Sequence, residues 1–259
     1  MARWAAGVEY DGGVYAGWQA QPDRVSVQAT VEQALSSVAA HPVAVQAAGR
    51  TDAGVHALGQ VIHFDSGAPR APHAWLLGAN SRLPQDISLR WVRPVPEDFH
   101  ARYSALARRY RYLIHNQRAR SALLTGRSAR VALALDERRM HAAAQTLLGE
   151  HDFSAFRAAE CQARSPWREL QAIGVRRRGA CVMLDICGNA FLHHMVRNIA
   201  GALIEVGLGR KPVEWIAWLL ASRDRRQGAA TAAAAGLYLL GVDYPARYAL
   251  PATDDVTLP

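Results

Sequence analysis

The stretch VAVQAAGRTDAGVHALGQVIHFD, residues 43–65, contains two predicted strands joined by a short polar loop. Apolar residues over 43–48 predict the first strand, and the alternation over 60–65 predicts the second. Residues 49–54 form the loop, which has a glycine at each end. One carboxylate, Asp52, is therefore placed in the loop between the two strands.

Strand and helix signals continue on both sides of this stretch. Each half of the chain has strands crossed by one or two helices, roughly β-α-β-β-α-β, which predicts an α+β fold with two similar halves. The proline- and acid-rich segment 94–98 separates a predicted N-terminal domain, 1–104, from a C-terminal domain, 105–259. Further strands are predicted at 3–10, 88–95, 110–115, 169–177, 181–187 and 237–243, and helices at about 27–40 (with Ser26 as N-cap), 72–79, 191–206, 212–222 and from Asp136.

The composition is that of a globular chain with a basic surface. Half of the 259 residues are apolar and 20% are charged, which excludes disorder as the main state. Lys and Arg number 30 against 22 Asp and Glu, a formal net charge of +8. No apolar run suits a bilayer span, the N-terminus lacks a signal-peptide pattern, and the three cysteines form no CxxC pair. We expect a cytoplasmic protein that does not enter a membrane.

The positive charge is concentrated in one segment. Between Arg102 and Arg139, ten arginines occur with only Asp136 and Glu137, so this segment carries +8 by itself. Three tyrosines are interleaved with these arginines. Such a pattern is typical of a surface that binds phosphates and stacks bases, and a solvated strand face is the alternative.

Several common catalytic motifs are missing: GxxxxGK[ST], strand-linked GxGxxG, HExxH and GxSxG. Their absence argues against NTPases, dinucleotide enzymes, zincins and serine hydrolases. His193 and His194 have no further ligand at metal-binding spacing, so no metal is predicted. Asp52 remains the candidate nucleophile, since Arg50 nearby favours an ionised carboxylate. The alternative is an ordinary turn in which Asp52 caps backbone amides.

A set of motifs occurs in one order along nearly the whole chain. They are Glu9-Tyr10-Asp11-Gly12, Gly17-Trp18-Gln19, Arg50-Thr51-Asp52 with Gly54-Val55-His56 and Gln60-Val61, Asp98-Phe99-His100-Ala101-Arg102, Arg108-Arg109-Tyr110-Arg111-Tyr112, Asp152-Phe153, and Phe191 to Asn198. With these motifs the chain resembles the tRNA pseudouridine synthase A family. The resemblance implies two ferredoxin-like halves with a mostly antiparallel central sheet, an active-site cleft between the halves, a homodimer and no cofactor.

The resemblance also implies an activity and four functional residues. The family isomerises uridines at positions 38 to 40 of the tRNA anticodon stem-loop to pseudouridine. By this resemblance Asp52 is the nucleophile, and Tyr110 stacks on the target base and assists proton movement at its C5. Arg50 contacts the RNA backbone or steers the flipped nucleotide, and Arg197 pairs with Asp52. Without the resemblance, Tyr110 is best interpreted as a core strand aromatic and Arg197 as a solvated helix residue.

The isomerisation agrees with the absence of nucleotide-binding and metal-binding motifs from the sequence. Moving the sugar C1′ from N1 to C5 of the same uracil is redox-neutral and requires neither nucleotide nor metal. Asp52 has three routes open, which are attack at the sugar, attack at C6 of the base, and expulsion of uracil through a glycal. The target base must also leave its stack, at a cost of roughly a few kcal/mol, which calls for an aromatic platform and phosphate contacts.

Two other functions remain alternatives from the residues alone. One is a non-catalytic RNA-binding protein of tandem RRM-like halves, which has no need of an Arg-Thr-Asp loop and would show RNP-type aromatics. The other is an Asp-dependent hydrolase that releases free uracil from nucleosides. The alanine-rich stretch 227–234 also departs from the family pattern, and the alanine run at 229–235 is interpreted as a helix turn or a close-packed loop.

Overall fold

The computed structural model describes residues 1–251, which divide into two compact units. The first unit is Met1–Leu106 together with the described residues from Leu239 onward, and the second is Ala107–Tyr238. Nothing in the sequence pattern marks this return of the chain to the first unit. The division into folding domains 1–104 and 105–259 stays a prediction.

The first unit is built on antiparallel strands. Its central strand is β1, which pairs antiparallel with β3 on one side and β4 on the other, and β2 pairs antiparallel with β3. The helix α1 packs on α2, and α2 packs on β4. The elements are β1 (Ala2–Tyr10), α1 (Val27–Ala39), β2 (Gln46–Ala47), β3 (His56–Ser66), α2 (Pro72–Asn80) and β4 (Ile87–Pro94).

The second unit repeats this architecture with three helices. Its strands β5, β9, β8 and β7 pair antiparallel in that order, and the short β6 pairs parallel with β5. The helix α3 packs on β8 and α4. The elements are β5 (Ala107–His115), β6 (Ala129–Arg130), α3 (Glu137–Ala144), β7 (Gly149–Asp152), β8 (Trp167–Arg178), β9 (Cys181–Gly188), α4 (Met195–Gly207), α5 (Trp215–Ser222) and β10 (Leu237–Asp243), which crosses into the first unit.

The predicted α+β fold with mostly antiparallel strands is confirmed. The Ser26 hydroxyl accepts a hydrogen bond from the Ala29 amide and caps α1, as the sequence predicts. Several boundaries differ from the prediction. The strand at 43–48 shortens to β2, β3 begins four residues early at His56, and α4 begins at Met195 because His194 has φ +60°.

The buried His63 on β3 makes the stability of the first unit dependent on pH. Burial, with His100 and Arg3 nearby, lowers the pKa of His63 to about 4. The unfolded chain takes up a proton near pH 6.5 and the folded chain does not, so the free energy of unfolding falls between pH 6.5 and pH 4. We expect a loss of about 2 to 3 kcal/mol, to be measured by urea unfolding over this pH range.

The variant His63→Gln is the control, because it keeps an acceptor for the Ala101 amide that now donates to His63 Nδ1 but does not titrate. Its free energy of unfolding is expected to depend less on pH between 6.5 and 4. Equal pH dependence in the two proteins would contradict the role of His63.

Candidate active site

Thr51, the residue before Asp52, is fixed from two sides within the first unit. The hydroxyl of Tyr10, at the end of β1, lies 2.7 Å from Thr51 Oγ1 in a buried hydrogen bond. The amide of Trp18 donates to the carbonyl oxygen of Thr51 over 3.0 Å. Two motifs that are distant in sequence therefore hold Thr51, one through its side chain and the other through its backbone, next to Asp52.

The two ends of the loop are also fixed. The amide of Val55 donates to the carbonyl oxygen of Asp52 over 3.2 Å, and Gly54 takes a φ of +77°, which suits glycine. At the other end, the carbonyl oxygen of Gly49 accepts a bond of 2.8 Å from Nε2 of Gln60, a fully buried residue of β3. The loop is thus closed by hydrogen bonds before and after Asp52.

Two glycines lie against the loop backbone where a side chain has no room. A methyl group at Gly12 would lie 1.9 Å from the carbonyl oxygen of Val55, and one at Gly17 would lie 2.6 Å from that of Thr51. The Gly12 amide also donates to Nδ1 of the buried His56. The Asp11-Gly12 and Gly17-Trp18 motifs therefore build the support on which the Asp52 loop rests.

Asp52 is partly exposed on this supported loop, and Arg50 is exposed. A carboxylate held by a fixed backbone and open to solvent can meet a substrate with little reorganisation. Both predicted residues thus lie on one loop at the start of β3, as the sequence indicates.

Tyr110, on β5 of the second unit, is 8% exposed. Its ring packs edge-on against Phe191, with ring centroids 5.1 Å apart. The neighbouring Tyr112 is fully buried, its hydroxyl donates to the carbonyl oxygen of Ala233, and burial raises its pKa. Tyr110 is therefore a well-packed strand aromatic, and its stacking on a base stays a prediction.

Arg197, on α4, is bound to the alanine-rich loop. Its Nε donates to the carbonyl oxygen of Ala232 over 2.9 Å, and the Ala232 amide donates back to the carbonyl oxygen of Arg197. A methyl group at Gly201 would lie 2.1 Å from the carbonyl oxygen of Ala230. The missing side chain of Gly201 allows this close approach, so the run is a close-packed loop that ends in a single 3₁₀ turn. The predicted pairing of Arg197 with Asp52 stays a prediction.

The ten arginines of the 102–139 segment differ in exposure, and Arg109 is half-buried. Arg111 is buried and lies 2.5 Å from Asp185, and Arg108 is buried and donates to the carbonyl oxygen of Asn189. These two serve the fold, which the sequence pattern did not reveal. The exposed members are Arg102, Arg118, Arg120, Arg127, Arg130, Arg138 and Arg139.

The comparisons with known proteins agree with these features. A family model described as tRNA pseudouridine synthase matches residues 6–104 and 143–245. The chain belongs to this family. Within the described residues, no helix is long and apolar enough to span a membrane.

Two curated relatives are similar over almost their whole length. The chain is 58% identical over 249 residues to tRNA pseudouridine synthase A of Aeromonas salmonicida (strain A449), covering 96% of this chain and 93% of the relative. It is 58% identical over 247 residues to tRNA pseudouridine synthase A of Shigella boydii serotype 4 (strain Sb227), covering 95% and 92%. As a member of this family, the chain is an isomerase that converts uridine to pseudouridine in tRNA.

Among solved structures, a chain from a crystal structure of a Cbf5-Nop10-Gar1 complex aligns with a TM-score of 0.37 and 11% identity, covering 91% of this chain and 48% of that chain.

The supporting residues of the Asp52 loop could not be assigned from local sequence patterns. Tyr10, Gly12 and Gly17 lie in motifs that the sequence displays, but their contacts with the loop span about 40 positions. The only signal available was that these motifs accompany Arg50-Thr51-Asp52 in one chain.

Replacing Tyr10 with phenylalanine is expected to loosen the loop. The change leaves the buried Thr51 hydroxyl without this partner, which costs about 1 to 2 kcal/mol of unfolding free energy. We expect kcat to fall about tenfold and the tRNA Kd to stay unchanged, as measured by single-turnover kinetics and filter binding.

The double variant Tyr10→Phe/Thr51→Val is the control, because it removes both partners of the hydrogen bond. Its unfolding free energy is expected to recover towards that of the wild type. Strictly additive losses from the two changes would show that the hydrogen bond does not couple them.

Proposed function

We propose that this chain isomerises uridines at positions 38 to 40 of the tRNA anticodon stem-loop, with Asp52 as the nucleophile. The supported Asp52 loop carries the proposal. Tyr10 holds the loop through the Thr51 hydroxyl, Trp18 and the loop-closing hydrogen bonds hold its backbone, and the Asp52 side chain is partly exposed. Because this backbone is already fixed, little conformational entropy is lost when Asp52 attacks the substrate.

In this proposal the target uridine leaves the stem-loop stack before it reacts. Tyr110 is the residue proposed to stack on the uracil, and its ring is already held by Phe191. Arg50, exposed on the same loop as Asp52, contacts the backbone of the flipped nucleotide. Arg197 keeps Asp52 ionised by pairing with it.

The bonds of the reaction balance without an oxidant or a reductant. The C1′–N1 bond breaks, the uracil turns, and a C1′–C5 bond forms. The C5 proton then leaves, Tyr110 assists its transfer, and N1 ends with a proton. Asp52 acts by attack at C1′, by attack at C6, or by promoting a glycal, and these three routes share the same starting carboxylate.

We also propose a homodimer that works in the cytoplasm without a cofactor. The exposed arginines of the 102–139 segment would bind tRNA phosphates, so the affinity for tRNA is expected to fall steeply with salt.

For the homodimer, light scattering should give a mass of twice 28.2 kDa. A mass equal to that of one chain would contradict the homodimer.

The experiment that tests the target positions uses full-length tRNA transcripts with a single uridine in the anticodon stem-loop. The uridine is placed at position 38, 39 or 40, or at position 33 as the control. Carbodiimide treatment followed by reverse transcription maps each pseudouridine. We expect modification at 38 to 40 and none at 33. Equal modification at 33, or modification confined to another arm of the tRNA, would overturn the proposal.

A further inference from the structure

Tyr103 is an exposed aromatic residue that contributes little to the packing of the first unit. It is 76% exposed, in the turn between β4 and β5. A ring that buries a quarter of its surface yields little hydrophobic stabilisation. Its position on the surface therefore needs another explanation.

The turn that carries Tyr103 is nevertheless rigid. Nδ1 of His100 accepts hydrogen bonds from the amides of Arg102 and Tyr103, over 3.1 and 3.2 Å. The His100 amide donates to Oγ of Ser104, and the Ser104 amide donates back to the carbonyl oxygen of His100. Ala101 is held as well, because its carbonyl oxygen accepts from the Tyr244 hydroxyl. The backbone on both sides of the exposed ring is thus fixed.

The ring itself is held by a series of rings that runs from the interior to the surface. The centroids of His63 and His100 are 4.5 Å apart, and those of His100 and Tyr103 are 4.3 Å apart at 34°. Burial lowers the pKa of both histidines, so these rings are neutral at physiological pH. His100 covers one face of Tyr103, and the high exposure of Tyr103 leaves the other face towards solvent.

A cation also lies over the Tyr103 ring. The guanidinium carbon of Arg102 is 5.5 Å from the Tyr103 centroid, within cation–π range but beyond the spacing of a stacked plane. A flat group that stacks on the exposed ring therefore has a cation close by, and an anion attached to that group can pair with the guanidinium. A base with its attached phosphate has both of these parts.

We propose that Tyr103 and Arg102 form a second nucleotide-binding site on the first unit, where an unpaired base of the bound tRNA stacks on Tyr103 and its phosphate pairs with Arg102. This inference deepens the proposed function and rests on it, since the ligand is part of the same tRNA. A rigid aromatic beside a cation suits nucleotides better than an apolar protein patch, which would not match the charge of Arg102.

The test compares Tyr103→Ala with Tyr103→Phe on the full chain. The control is Leu77→Ala, which removes a residue of α2 that is 65% exposed on the same unit. The Kd of unmodified full-length tRNA is measured at one salt concentration, together with kcat at saturating tRNA and the oligomeric state by sedimentation. We expect Tyr103→Ala to weaken tRNA binding about fivefold to a hundredfold, and the other two variants to change it less than about twofold.

Weaker binding by Tyr103→Ala, with kcat and the oligomeric state unchanged and binding retained in Tyr103→Phe, supports the second site. An unchanged Kd overturns it. Weaker binding that accompanies dissociation of the oligomer also overturns it, because Tyr103 would then serve a contact between protein chains. The position of modification by the wild type is mapped on the same tRNA, and a failure at 38 to 40 counts against the proposed function alone.

Discussion

Replacing Asp52 with asparagine is expected to lower kcat by roughly four orders of magnitude or more and to change the tRNA Kd less than about threefold. The amide has nearly the same shape as the carboxylate but is a far weaker nucleophile. The loop keeps its place because its supporting bonds join backbone and neighbouring side chains. Single-turnover kinetics and filter binding measure the two quantities separately.

The control for this experiment is Asp23→Asn, which neutralises an exposed carboxylate in the same unit. We expect it to keep kcat within about twofold. Substantial turnover by Asp52→Asn, or loss of tRNA binding in that variant, would remove Asp52 from the role of nucleophile.

The second large effect is expected from Gly17→Ala. The residue has φ +95°, and the new methyl group would lie 2.6 Å from the carbonyl oxygen of Thr51 and 3.0 Å from the amide nitrogen of Ala53. Strain of about 1 to 2 kcal/mol adds to the cost of displacing the loop. Because a misplacement of about 1 Å can cost a hundredfold in rate, we expect kcat to fall about a hundredfold or more.

The matched control is Gly67→Ala, since a methyl group there meets no atom within 4 Å and the backbone needs no positive φ. Urea unfolding and kcat are measured for both variants. We expect Gly67→Ala to match the wild type in both quantities. Full activity in Gly17→Ala would show that the close approach of Gly17 does not fix Asp52.

Much of the fold follows from local signals in the sequence. The helix α1 is predicted by its apolar spacing and its Ser26 cap, and α3 begins after Asp136 as expected, with the Asp136 side chain as its cap. The strands β6 and β7 were missed because they have only two and four residues, too few for a periodic pattern. Their pairing depends on long-range neighbours.

The candidate site likewise contains residues that the sequence predicts and residues that it does not. Asp52 and Arg50 could be predicted because a motif and a polar loop mark them in one short stretch. The support from Gly12 and Gly17 could not be predicted, since no local sequence pattern shows which backbone segment will approach these glycines. Likewise, the pairing of Arg111 with Asp185 depends on the register of β5 against β9, so composition alone counts this arginine as part of a binding surface.

The most direct measurement of the central claim is tritium release from tRNA labelled at C5 of its uridines. Wild type and Asp52→Asn are compared at low salt with a chelator present and no added nucleotide. We predict release by the wild type alone, with the tRNA chain intact, no free uracil, and label lost from the anticodon stem-loop. Equal release by both proteins, or release of free uracil, would contradict a cofactor-free isomerisation that depends on Asp52.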